Sequence, residues 1–111
     1  MIEIVIRFEN RLLEIDHLLA EGAAGTDRQA MIELNRERRR VDDTLKSGRE
    51  YRKAKEAIDG AKDILNTSKD PEMITMAKEE LAIYQPHFEK LESEFRLKLL
   101  PRDPDDEKAA I

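Results

Sequence analysis

From Asp27 to Asn66 the chain runs for 40 residues without a proline, and its apolar residues return at steps of three and four. Met31, Leu34, Val41 and Leu45 lead into Tyr51, Ala54, Ile58, Ala61 and Leu65, a spacing that predicts a helix over about 27–66. At 1.5 Å per residue such a helix is about 60 Å long. No compact domain of this size can enclose it, so the chain folds along it, as a coiled coil or an extended hairpin. Thr26 to Gln29 has capping-box spacing, which predicts a helix start there. The seam skips at Gly48, where three-residue steps replace the alternation, and a local change of supercoil or a mild bend is expected at that point.

A first helix is expected over about 2–20, where Val5, Phe8, Leu12, Ile15 and Leu19 form a heptad seam. Ile2, Ile4, Ile6 and Phe8 also alternate as in a strand, but the seam continues past residue 8 and favours helix. Gly22 supplies a stop and Gly25 a turn. Asp70 and Pro71 open a third helix over about 71–99, an N-cap followed by proline at the first helical position. Its seam is Ile74, Ala77, Leu81, Tyr84, Phe88, Leu91 and Phe95. Pro86 interrupts that helix and predicts a kink, but it lies off the seam. Met73 and Met76 read as flexible core filler, and Tyr51 and Tyr84 as packing residues. The fold expected is all-α: an antiparallel helical hairpin over 1–100, three helices in total. The third helix covers the C-terminal two-thirds or so of the second, and the first packs on the part left over.

With 41% charged residues, 5% aromatic and no Trp, the chain must use its apolar surface in narrow seams rather than in a thick core. There is no cysteine, hence no disulfide or thiolate metal site. No apolar run reaches the roughly 18 residues of a membrane span, and the first residues lack the pattern of a signal peptide. A cytoplasmic location is expected.

The net charge of −5 is unevenly placed. Arg36 to Lys55 holds nine basic and four acidic residues, a local +5, which leaves −10 for the rest. Within it Arg36, Arg38, Arg39 and Arg40 are candidate contacts for phosphate or for an acidic partner. The plainer reading is a solvated face partly paired with Glu89, Glu92 and Glu94 of the third helix. Four arginines in five positions wrap around a helix and cannot all face one groove. Glu14-x-x-His17 has the Glu-x-x-His spacing of di-iron bundles, which needs a second copy and two further carboxylates. His87 has no glutamate three residues before it, so His17 reads as exposed or at a seam edge. No metal or cofactor is expected. Asp103, Asp105, Asp106 and Glu107 lack the glycine and distal glutamate of a calcium loop. No Ser-His-Asp set or glycine-rich phosphate loop is present, and catalysis by this chain is not expected.

After Leu100 the text turns to PRDPDDEKAAI, which reads as a linker over 101–111. Its hinge is Pro101, Arg102, Asp103, Pro104 and Asp105. Here the residues become specific. Leu99 to Lys108 resembles the segment of bacterial class-one peptide chain release factors in which Leu-Leu-Pro-(Lys/Arg)-Asp-Pro-x-Asp-(Asp/Glu)-Lys joins a helical N-terminal domain to the catalytic core. Arg49 to Ala54, Ala61 to Leu65, Asp70 to Glu72 and Met76 to Leu81 extend that resemblance. Within the family the linker is more like factors that read UAA and UAG than those that read UAA and UGA. The resemblance implies translation termination, with the ribosome (stalk base and GTPase-associated region) and a release-factor-recycling GTPase as partners and rRNA contact possible. It also implies that Ile111 opens the first strand of a core that this chain lacks. The family's Gly-Gly-Gln and its codon-reading tripeptide are absent, so no catalytic residue carries over. Two other readings compete, a free-standing antiparallel coiled-coil adaptor or chaperone-like protein and the tRNA-binding arm of a synthetase. The adaptor leaves the tail unexplained. The arm needs two long helices of similar length with basic faces, whereas the third helix is shorter and acidic.

Overall fold

The computed structural model describes residues 1–22 and 27–100. Three helices follow in order: α1 (Ile2–Ala20), α2 (Arg28–Thr67) and α3 (Pro71–Leu99). No strand occurs among the described residues, so the alternating start of the chain is helical. Gly25, Thr26 and the linker from Pro101 lie outside them. The molecule measures 63 × 36 × 15 Å, and its longest dimension is the length of α2.

Each helix end has a local cause. Asp27 caps α2 by accepting a hydrogen bond from Gln29 N at 3.0 Å. The capping-box expectation is therefore corrected by one residue: a carboxylate at 27 is the cap, and the helix begins at Arg28. Asp70 does the same for α3 through Glu72 N, also at 3.0 Å, with Pro71 in the first turn. α1 stops where Gly22 takes φ +67 and its N–H reaches Leu19 O at 3.3 Å. α3 runs unbroken through Pro86, whose ring lies on the exposed side. That ring carries no N–H for the carbonyl one turn earlier, and the seam from Ile74 to Phe95 survives intact.

α2 packs against both other helices, and the two overlap rather than dividing its length. Val41, Thr44, Leu45, Ser47, Gly48 and Tyr51 are all buried. At 100° per residue they span about 160° of the circumference, too wide for one seam. Two helices cover this band at once. A Cβ on Gly48 would stand 3.0 and 3.1 Å from the Phe95 ring and 3.1 Å from the Val5 methyl. Gly48 is thus the point where α1 and α3 both press on α2. The skip in the seam has this packing origin, and α2 continues through it as helix. Val5, Leu45, Tyr51 and Phe95 make the central cluster, with Phe8, Phe88 and Leu99 against it. Tyr51 stacks on Phe88 and Phe95 at ring separations of 5.2 and 5.8 Å. Tyr51 is a packing residue as expected. Met73 and Met76 are not: both are exposed. The inward positions of the first turns of α3 belong to Ile74 and Ala77, which leaves the two methionines facing water.

Arginines of α2 hold α1 in register. Arg52 donates to both Glu9 carboxylate oxygens, at 2.6 and 3.2 Å, and Arg49 stands 3.5 Å away. The bond from Arg52 holds the Glu9 carboxyl below the usual carboxylate range, against a smaller opposing effect of burial.

Two glycines in one helix should respond oppositely to alanine. Gly60 has nothing within 4 Å of an added Cβ, so Gly60→Ala should raise stability by about 0.5–1 kcal/mol through helix propensity. Gly48→Ala gains the same propensity but forces two fully buried side chains aside, for a net loss of about 1 kcal/mol. Urea unfolding of both variants checks this, and equal gains at the two sites would contradict the crossing. A lowered folded-state pKa contributes its full stabilisation above the unfolded value of about 4.3 and loses it progressively as pH falls from there through the lower folded value. α1 docking should therefore weaken below about pH 4.3, and Glu9→Gln should remove part of that dependence while costing about 0.5–1 kcal/mol at neutral pH. Unfolding curves recorded across the acid range on both proteins give the comparison.

Candidate functional site

The arginine run lies where α1 leaves one side of α2 open. Glu37 and Arg38 point towards α1, on the side of Leu34 and Val41. Arg38 donates to Asp16 at 2.6 Å. Arg11 forms a two-pronged pair with Glu37, one prong at 2.7 Å from Nη2 to Oε1, and also stands 3.0 Å from Glu14. The hydrogen bonds from Arg11 hold the Glu37 carboxyl low, against a smaller effect of burial, and Glu37 in turn raises the Arg11 guanidinium.

Arg36, Arg39 and Arg40 lie on the other side. All three are exposed and enter no ion pair among the described residues. At 100° per residue they share an arc of about 100°. The expectation that the four arginines cannot share a face is therefore sharpened: three do, and Arg38 is the one turned inward. Asp43, a turn further on, faces Lys98 of α3 at 3.3 Å. Beside the arc a cleft of about 600 Å³ opens between the helices, lined by Phe8, Arg40, Val41, Thr44, Leu97 and Leu99 among others.

Among the described residues the expected pairing of the run with Glu89, Glu92 and Glu94 does not occur. The run's one acidic partner among the described residues is Asp16 of α1, bound by Arg38, and Glu92 pairs with Arg96 of its own helix at 2.8 Å. The register explains this. With Phe95 at the level of Gly48, antiparallel α3 carries residues 89–94 towards the far end of α2, past the arginines. Sequence reasoning missed the Arg11–Glu37, Asp16–Arg38 and Glu9–Arg52 ties. The signal was present: if Val5 and Leu12 are a positions, then Glu9 and Asp16 occupy e and Arg11 occupies g, the positions that flank a seam and choose partners across it.

His17 is exposed, with Nε2 3.0 Å from Glu21 Oε1. Among the described residues no three His, Cys, Asp or Glu side chains come together as a metal site. No described helix is long and apolar enough to cross a membrane. The hinge residues Pro101, Arg102, Asp103, Pro104 and Asp105 lie outside the described part. What the site offers is an exposed guanidinium arc on a rigid helix, suited to binding polyanions or acidic protein surfaces.

Comparison with known proteins agrees with the resemblance seen in the linker. The PCRF domain family matches residues 8–111. Peptide chain release factor 1 of Bacteroides fragilis is 38% identical over 108 residues, covering 97% of this chain and 28% of that protein. The factor of the same name from Enterococcus faecalis is 36% identical over 103 residues, covering 93% and 29%. That from Listeria innocua is 35% identical over 103 residues. The chain thus spans under a third of the length of these relatives. No solved structure matches it significantly. With almost every residue inside one family match, the chain belongs to the PCRF domain family and is a helical domain of the release factor 1 type.

Proposed function

We propose that this chain is the helical N-terminal domain of a class-one peptide chain release factor acting in translation termination at UAA and UAG codons. The observation that carries the proposal is the family match, which runs without a break from α1 into the linker. The domain's task is docking. It engages the ribosome at the stalk base and GTPase-associated region, where rRNA contact is available, and it influences the GTPase that recycles the factor. Codon reading and peptidyl-tRNA hydrolysis belong to the parts of the factor that follow the linker, in the cytoplasm where ribosomes work. The domain itself is non-catalytic.

The exposed arc of Arg36, Arg39 and Arg40 supports this reading, because phosphate contacts need guanidinium groups without acidic partners of their own. Arg38 has a structural duty to Asp16. Its removal should act through the docking of α1 rather than through binding.

The chain should co-sediment with ribosomes and be displaced by an intact class-one release factor, while releasing no peptide from stop-programmed complexes. Failure of the intact factor to compete would instead favour the adaptor reading. Arg36→Glu, Arg39→Glu and Arg40→Glu together should weaken ribosome binding about tenfold or more and flatten its salt dependence by about two to three logarithmic units per decade. Arg38→Gln should lower thermal stability with a smaller change in affinity. A triple variant of unchanged helicity that binds like the parent would assign the arc to solvent.

A further inference from the structure

At the opposite end of the molecule, α3 carries large apolar side chains that stay exposed. Met73 is 44% exposed, Met76 61% and Ile83 68%. At 100° per residue they fall within an arc of about 80°, about 15 Å from end to end, with Met73 at the edge nearest the inward Ala77. The inner line of Ile74, Ala77 and Leu81 already packs on α2. Acids surround the exposed arc. Glu72, Glu79 and Glu80 are exposed and enter no ion pair among the described residues. From Glu56 to Glu80 there are seven acids against three lysines, a net −4. Met76 meets Glu72 and Glu79 in a shallow surface depression that Pro71 and Thr75 also line.

We propose that this face is a docking site for a basic amphipathic helix of a partner protein. Each part of the face matches one property of such a helix. Anchors at i, i+3 and i+10 suit the apolar ridge of a helix laid alongside. Unbranched methionine side chains adapt to ridges of differing shape. The flanking carboxylates meet lysines or arginines beside the ridge and repel acidic competitors. The same carboxylates exclude polyanions such as RNA and anionic lipid surfaces. The site is separate from the arginine arc, and the proposal stands independently of whether that arc meets a ribosome.

The chain has four methionines, which makes its methyl groups the natural reporters. With ¹³C-methyl methionine in the intact chain, titration uses an amphipathic peptide of about 18 lysine and leucine residues as probe. Met73 and Met76 resonances should shift and saturate, while Met1, against the central cluster, and Met31, near the start of α2, stay in place. A peptide with glutamate for lysine should leave all four unmoved. Met76→Gln with Ile83→Gln, both on the exposed side, should weaken binding about tenfold at near-physiological salt. Glu72→Gln, Glu79→Gln and Glu80→Gln should weaken it and remove most of its salt dependence. Two results overturn the proposal: shifts at Met31 as large as those at Met76, or variants that bind the probe like the parent. A third is concentration-dependent shifting of Met73 and Met76 without peptide, since that assigns the face to a second copy of the chain.

Discussion

Everything in this fold turns on the absence of a side chain at residue 48. With hydrogen at that position the backbone of α2 accepts a phenyl ring from α3 on one side and a valine methyl from α1 on the other, both near 3.1 Å from where a Cβ would stand. That contact sets the level at which α3 meets α2, and hence that residues 89–94 lie away from the arginine run. It also draws the start of α1 over the end of α3, so that Val5 and Phe95 share one cluster. Ion pairs such as Arg52–Glu9 then secure an alignment that close packing has already chosen, in keeping with the modest strength of partly exposed pairs.

The architecture was legible because helix length and seam position are local properties. A proline-free run, an Asp-Pro start and a glycine stop place all three helices within a residue of where they occur. What stayed illegible was whatever depends on two helices at once. Gly48 reads as a weak point in a heptad pattern, whereas its role is set by Val5 and Phe95, each more than 40 positions distant. Met73 and Met76 illustrate the limit from the other side. Apolar character alone does not tell which side of an amphipathic helix a residue takes, and here Ile74 and Ala77 hold the inward positions.

The candidate site was legible to a similar depth. Charge counting finds the basic stretch, and it cannot separate Arg38, tied to Asp16, from its neighbours. That separation needs the position of α1, whose e and g residues carry the complementary charges. The linker is the opposite case. It has no structural logic that periodicity can reveal, yet as a string it identifies the family, and the match over 8–111 agrees with it.

Because the length of α2 separates the two charged regions, their placement has a directional consequence. With the acids of α1 counted, residues 1–55 sum to +1, while residues 56–80 around the far tip sum to −4, and this imbalance gives the domain an electric dipole moment along its long axis. In the field of a polyanion such a body experiences a torque as well as a pull, and it turns before it touches. The arginine end leads and the methionine-bearing end trails, pointing outward from the surface. Orientation is then settled during approach, over a distance of about one Debye length, roughly 8 Å at physiological salt.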